Sequence, residues 1–246
     1  MIIDGHIHAG YWSPQMFLGR GASFETMERC LSECGIDGAI LTSTDQRDNE
    51  AVAAFIASSS GKKYWFFPWV NPSVEGDLAY LRKNRAVVHG IKLHPSCDKV
   101  RITDARVEPF LRFAGDEGVA VMVHCGRWQE MSSYRFALEA AAKHPETLFV
   151  LSHMGGDTPE YEMGTIRGII EAELDNVLLG IEGVREYWAV QEAVDRLGAE
   201  KVLFGSDFPL GHPRMYMGLV EALTLTPGQK QLILGGNALR LVGEVG

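Results

Sequence analysis

His6 and His8 stand two residues apart at the end of the apolar run MIIDGHIH, residues 1–8. Imidazoles are costly to bury without partners, and side chains at i and i+2 of a strand share one face. The spacing therefore lets both rings reach one bound ion. Other apolar runs carry polar residues at their ends in the same way: Lys92 and His94 in VVHGIKLHP, His124 in VAVMVHCG, His153 in LFVLSHMGG, Glu182 in NVLLGIEG and Asp207 in KVLFGSDFP. Five of the eight histidines fall in this set, and His212 follows Asp207 closely. Two imidazoles from the first run, a third from His124 and the carboxylate of Asp207 make three nitrogens and one oxygen. Zinc takes such a set with a position left for water, and manganese, iron or cobalt use the same donors. The run ends alone leave open whether His124 or His153 is the third imidazole. One such histidine is as readily a hydrogen-bonded core residue, but the whole cluster gathered without an ion would leave many polar groups to satisfy.

The runs that must position these residues are eight: 1–8, 38–44, 64–72, 87–95, 119–126, 148–156, 176–183 and 201–209. Each is β-branched or aromatic and bounded by turn residues. Between them lie stretches with apolar residues at three-to-four spacing, such as FETMERCLSECG, with Ser23 placed to cap it, and SSYRFALEAAAKHP, which Pro145 ends. Strand–helix alternation implies parallel strands with helical crossovers. Eight units in 246 residues predict an α/β fold, a (β/α)8 TIM barrel formed as one compact domain over 1–246. An open doubly wound sheet is disfavoured because no GxGxxG follows the first strand. In the barrel the C-terminal strand ends form the active site, which is where the polar residues fall. The tail TPGQKQLILGGNALRLVG reads as a short helix, a Gly-Gly-Asn turn and a closing helix. The loop AGYWSPQMFLGRGAS, with Tyr11, Trp12, Met16 and Phe17, reads as a lid over the pocket.

Apolar residues make up 46% of the chain and charged ones 22%, and the net charge is −9. An acidic chain without a Lys/Arg cluster repels phosphate backbones, so nucleic acid is not an expected partner. No apolar run reaches the ~18–20 residues of a membrane span, and no secretory leader pattern opens the sequence. Cys30 and Cys34, four apart on a helical pattern, fit neither a redox CxxC nor a zinc ribbon. With Cys97 and Cys125 they read as reduced thiols of a cytoplasmic protein. A small-molecule substrate is the expected partner, with a homodimer expected on base rates.

DGHIH, GIKLHP, VMVHCG, LSHMGG, LFGSDFP and ILGGNALRL together resemble the amidohydrolase superfamily, in particular the amidohydrolase-related (amidohydrolase 2) branch that includes aminocarboxymuconate-semialdehyde decarboxylase-like proteins. The resemblance spans the chain, and the HxH pair and GSDFP are its most specific parts. It implies that His6, His8, His124 and Asp207 hold one divalent metal, zinc foremost, and that His153 hydrogen-bonds or deprotonates the reacting water. Other superfamily members hold two metals through a carboxylated lysine on the fourth strand. Lys92 stands near that place, but a substrate contact is the favoured expectation for it.

Two reactions suit this set. In hydrolysis a metal-activated water attacks an amide, lactone or ester carbonyl, with Asp207 as base and then acid and His153 orienting the water. In nonoxidative decarboxylation the same centre binds an aromatic or unsaturated carboxylic acid, and a cation holds its carboxylate. Arg127 and Arg185 are candidates for that cation, and Trp128 for stacking on a ring. Lys92, His94, Glu182 and His212 complete the expected substrate contacts. The compact barrel favours hydrolysis. A metal-binding barrel without catalysis would leave His153 without a task.

Overall fold

In the computed structural model, which describes residues 1–126 and 128–244, the eight runs form eight parallel strands. They are β1 (Ile3–His8), β2 (Gly38–Thr42), β3 (Lys63–Phe66), β4 (Gly90–Leu93), β5 (Ala120–Val123), β6 (Phe149–Leu151), β7 (Val177–Gly180) and β8 (Val202–Leu203). β1, β2 and β3 pair in chain order, and so do β4 to β8. Backbone hydrogen bonds join the two groups at both seams. Gly5 N–H donates to Phe204 O and His8 N–H to Phe208 O on one side; Lys92 N–H donates to Pro68 O and Val70 N–H to Lys92 O on the other. Helices cross between successive strands, giving the (β/α)8 barrel. The strands are shorter than their apolar runs because residues past each strand bend into the loops of the mouth.

The barrel interior is layered by the period-two rule. Ile3, Ile40, Trp65, Met122, Val150, Leu178 and Leu203 pack together inside the ring, and Ala238 and Leu241 of the C-terminal helix join them from below. β4 places Gly90 in this layer, and a Cβ there would lie 2.3 Å from the ring of Phe67, which fills the space instead. Further along the same strand faces the residues turn polar: Thr42, Lys92, His124, Ser152 and Glu182. The opposite face, with Ile7, Leu41, Val121 and Leu179, belongs to the larger core beneath the helices.

β1 departs from simple alternation. Ile3 and His6 are three residues apart, yet Ile3 belongs to the interior cluster and His6 reaches the centre described below. The register against β2 shifts between Asp4 and Ile7, and such a bulge moves one residue to the other face. Elsewhere Ser23 caps helix Phe24–Glu33 as its position predicts, accepting from Thr26 N–H at 3.2 Å.

The C-terminal tail differs from its reading. Gly235, Gly236 and Asn237 make no turn. Pro227–Gln231, Leu232–Gly236 and Asn237–Leu241 run on as helix, the middle stretch as a π-helical segment. The buried Asn237 amide donates to Ala199 O at 2.8 Å and Val202 O at 2.6 Å, so the side chain that would favour a turn is engaged elsewhere. Gly235 lets the helix approach the N-terminus, since a Cβ there would lie 2.6 Å from Met1 O.

Candidate metal centre

His6, His8 and Asp207 meet at the C-terminal end of β1. Asp207 Oδ1 lies 3.3 Å from His8 Nε2 and 4.0 Å from His6 Nε2. The outer nitrogens fix both rings: His6 Nδ1 pairs with Glu182 Oε1 at 2.8 Å and His8 Nδ1 with Ser43 O at 2.7 Å. A carbonyl or carboxylate partner assigns the proton to Nδ1, so Nε2 of each ring presents a lone pair inward. Burial above all, with nearby Lys92 and His6, holds these imidazoles well below their usual pKa and keeps them neutral. Asp207 Oδ1 has no hydrogen-bond donor among the described residues. Two imidazole nitrogens, that of His6 shared with Lys92 Nζ, and an orphaned carboxylate oxygen within 4.8 Å of one another fit a divalent cation.

Three backbone features hold Asp207 there. Its own φ is +57°, a strained region for a residue with a side chain. Asp207 N–H donates to His6 O at 2.9 Å. The wholly buried Asp4 accepts from Ser206 N–H at 2.9 Å and from His6 N–H at 3.2 Å, tying the two metal-facing segments together. Burial, opposed by these hydrogen bonds, raises Asp4 to about 7. Asp4 was not among the expected site residues; its signal lay in the DGHIH run, two positions before His6.

Lys92 is wholly buried, with Nζ 3.0 Å from His6 Nε2 and 3.2 Å from Ser152 Oγ. Burial lowers its pKa to about 8, against the pull of Glu182 and Asp207. His153 reaches the centre only because the chain turns left-handed at His153 and Met154, with φ of +58° and +50°. Its Nδ1 donates to Glu182 O at 2.7 Å, leaving Nε2 3.2 Å from His124 Nδ1. His124 therefore stands beside the tight group of His6, His8 and Asp207 rather than within it. Its ring stacks on His94 at 3.8 Å, and His94 stacks on Trp69 at 4.7 Å. Burial is the main cause that raises Asp207 to about 7.

A family model described as amidohydrolase matches residues 3–243. The chain belongs to the amidohydrolase family. No curated protein matches it. Among solved structures, it is similar to 5-carboxyvanillate decarboxylase LigW from Sphingomonas paucimobilis, with 15% identity, 98% of each chain covered and a TM-score of 0.77. It is similar to 2,6-dihydroxybenzoate decarboxylase complexed with 2,6-dihydroxybenzoate, with 16% identity, 99% of each chain and a TM-score of 0.78. A probable 2-pyrone-4,6-dicarboxylic acid hydrolase from Acinetobacter baumannii shares 15% identity over 98% of this chain and 99% of its own, with a TM-score of 0.74. At such identity the likeness is one of fold. The family contains both carbon–carbon lyases and hydrolases, and its members use metal ions.

In this amidohydrolase a cavity of about 940 Å³ opens above the centre, lined by Trp69, His94, His124, His153, Asp207, Lys99 and Trp128, among others. Met16 and Phe17 line it from the loop after β1, whose Trp12 is buried 4.7 Å from the His8 ring. Lys99 Nζ sits 4.0 Å over the Trp128 ring. Four expected substrate contacts lie off the cavity lining: Lys92, wholly buried against His6 and Ser152, and three more. The Glu182 carboxylate is turned onto His6 beneath the cavity floor. Arg185 is exposed outside the cavity lining, with its charge near Glu162. His212 caps helix Pro213–Ala222 and faces Cys30. Arg127 lies outside the described residues. No helix of the described residues is long and apolar enough to cross a membrane.

Proposed function

We propose that this chain is a metal-dependent hydrolase that opens a small-molecule ester, lactone or amide. The observation that carries this reading is Asp207: a carboxylate with an unpartnered Oδ1, 3.3 Å from His8 Nε2 and 4.0 Å from His6 Nε2, at the floor of the cavity. A divalent metal held by His6, His8 and Asp207, with His124 beside them, would lower the pKa of a water toward neutrality and polarise a carbonyl. Zinc fits this donor set best, and one ion is the arrangement proposed; a second ion would need carboxylated Lys92. Asp207 takes the proton of the attacking water and returns it to the leaving group, through the carboxylate oxygen that no donor among the described residues occupies. His153, held by Glu182 O, orients that water through Nε2. The Trp69–His94 stack and the Lys99–Trp128 pair bind the remainder of the substrate. Four unpaired thiols and the net charge of −9 accord with a cytoplasmic protein acting on small molecules.

A second reading, nonoxidative decarboxylation, is favoured by Lys99 poised over Trp128 in the same cavity. A cation beside an aromatic face suits an aromatic carboxylate. Asp207 or His153 would then protonate the carbon that loses CO2. A screen of lactones, esters, amides and aromatic carboxylic acids, read by acid release and by CO2 release, separates the two. Turnover of a hydrolytic substrate, falling about 10²–10⁴-fold in Asp207→Asn, is the expected result. CO2 release alone would establish the second reading, and turnover unaffected by Asp207→Asn would overturn both.

A further inference from the structure

The helix Phe24–Glu33 and the loop after β8 bring a second donor cluster together away from the cavity. Cys30 Sγ, Cys34 Sγ and a ring nitrogen of His212 lie within 4.8 Å of one another. Cys30 and Cys34 are four apart at the helix end, so both sulfurs fall on one side of it. Cys30 Sγ is 3.6 Å from His212 Nε2. Bond lengths of about 2.3 Å to sulfur and about 2.05 Å to nitrogen, at a tetrahedral angle, put the two donors of a zinc ion about 3.6 Å apart. Cys34 is buried, Cys30 half-buried and His212 exposed, so the cluster is rooted in the protein and open on the histidine side. The sequence gives no zinc-ribbon spacing here, because the third donor arrives from 178 positions beyond Cys34 by the barrel's closure.

We propose that Cys30, Cys34 and His212 form a second cation site, selective for a thiophilic ion such as Zn²⁺, that clips the first helix to the segment carrying Asp207. Soft thiolates with one imidazole select zinc-like ions over the harder ions that the His6, His8 and Asp207 centre also accepts. Binding forms two metal–sulfur bonds and one metal–nitrogen bond without redox change. Each thiol releases a proton to water, and the proton on His212 Nε2 moves to Nδ1. That move gives up the hydrogen bond that Nδ1 accepts from Arg214 N–H at 3.3 Å. The clip acts on a compact turn: Leu210 N–H and Gly211 N–H both donate to Asp207 O, and His212 follows directly. Arg214 already reaches back from this segment to Glu33 O at 2.9 Å.

Cadmium is the probe, because thiolate–cadmium bonds absorb in the near ultraviolet and imidazole–carboxylate sites do not. Cd²⁺ titrated into reduced, chelator-treated protein is expected to give this band, saturating at one sulfur-bound ion per chain, in the parent and equally in His6→Ala. The band is lost in Cys30→Ser/Cys34→Ser. In His212→Ala it persists with affinity more than tenfold weaker. Absence of the band from the parent, or its survival in the double serine variant, overturns the site. Should the serine variant fail to fold, unchanged cadmium affinity in folded His212→Ala, which also gives up the helix cap on Arg214 N–H, overturns it as well.

Discussion

At the scale of single residues, the centre is built by partners that fix lone pairs. His6 and His8 present Nε2 inward because Glu182 and the Ser43 carbonyl occupy Nδ1. The HxH spacing was legible in the sequence because strand period alone puts two rings on one face. Glu182 was legible as a polar strand end, but its task was not, since nothing in NVLLGIEG says which imidazole it meets. His153 and Asp207 depend on left-handed backbone that no side-chain pattern announces. A different acid offers a test of the electrostatics. Glu162 is 1% exposed, and neither carboxylate oxygen has a hydrogen-bond partner among the described residues. Burial, with Glu186 adding to it and Arg185 opposing it, raises its pKa from 4.5 to about 7. Between those values the folded state holds a proton that the unfolded state has lost, so stability falls as pH rises through that window. Glu162→Gln should therefore raise Tm at pH 8 relative to the parent, with the gain shrinking to nothing near pH 4.5. Calorimetry at the two pH values checks it, and a gain of equal size at both would refute the assignment.

At the scale of elements, all eight strands and one helix between each successive pair were legible, because alternating apolar runs and three-to-four spacing are local signals, whereas the short helices Pro95–Asp98 and Gln129–Ser132 were not. The β1 bulge and the tail were not. Gly-Gly-Asn is a strong local turn signal, but Asn237 spends its amide on two carbonyls around the start of β8, and tertiary contacts keep the segment helical. Asn237→Ala should leave Ala199 O and Val202 O without that donor, at a cost of about 1–3 kcal/mol each. At about 2–4 °C per kcal/mol for a chain of this length, Tm should drop by several degrees. A drop below 1 °C would show that these bonds do not anchor the tail.

At the scale of the whole molecule, the barrel turns six strand ends, far apart in sequence, into one floor beneath a cavity of about 940 Å³. The same closure brings His212 to Cys30. The family membership and the fold follow from motifs spread over the chain and agree with the geometry. The cavity lining was less legible, since Lys99, Trp128, Met16 and Phe17 reach it from segments that obey no strand or helix period. Metal per chain, by elemental analysis of the parent and of His6→Ala purified without chelator, tests the central claim most directly. The account predicts that His6→Ala, folded by circular dichroism, carries about one divalent ion per chain fewer than the parent. Equal metal content in the two proteins would contradict it.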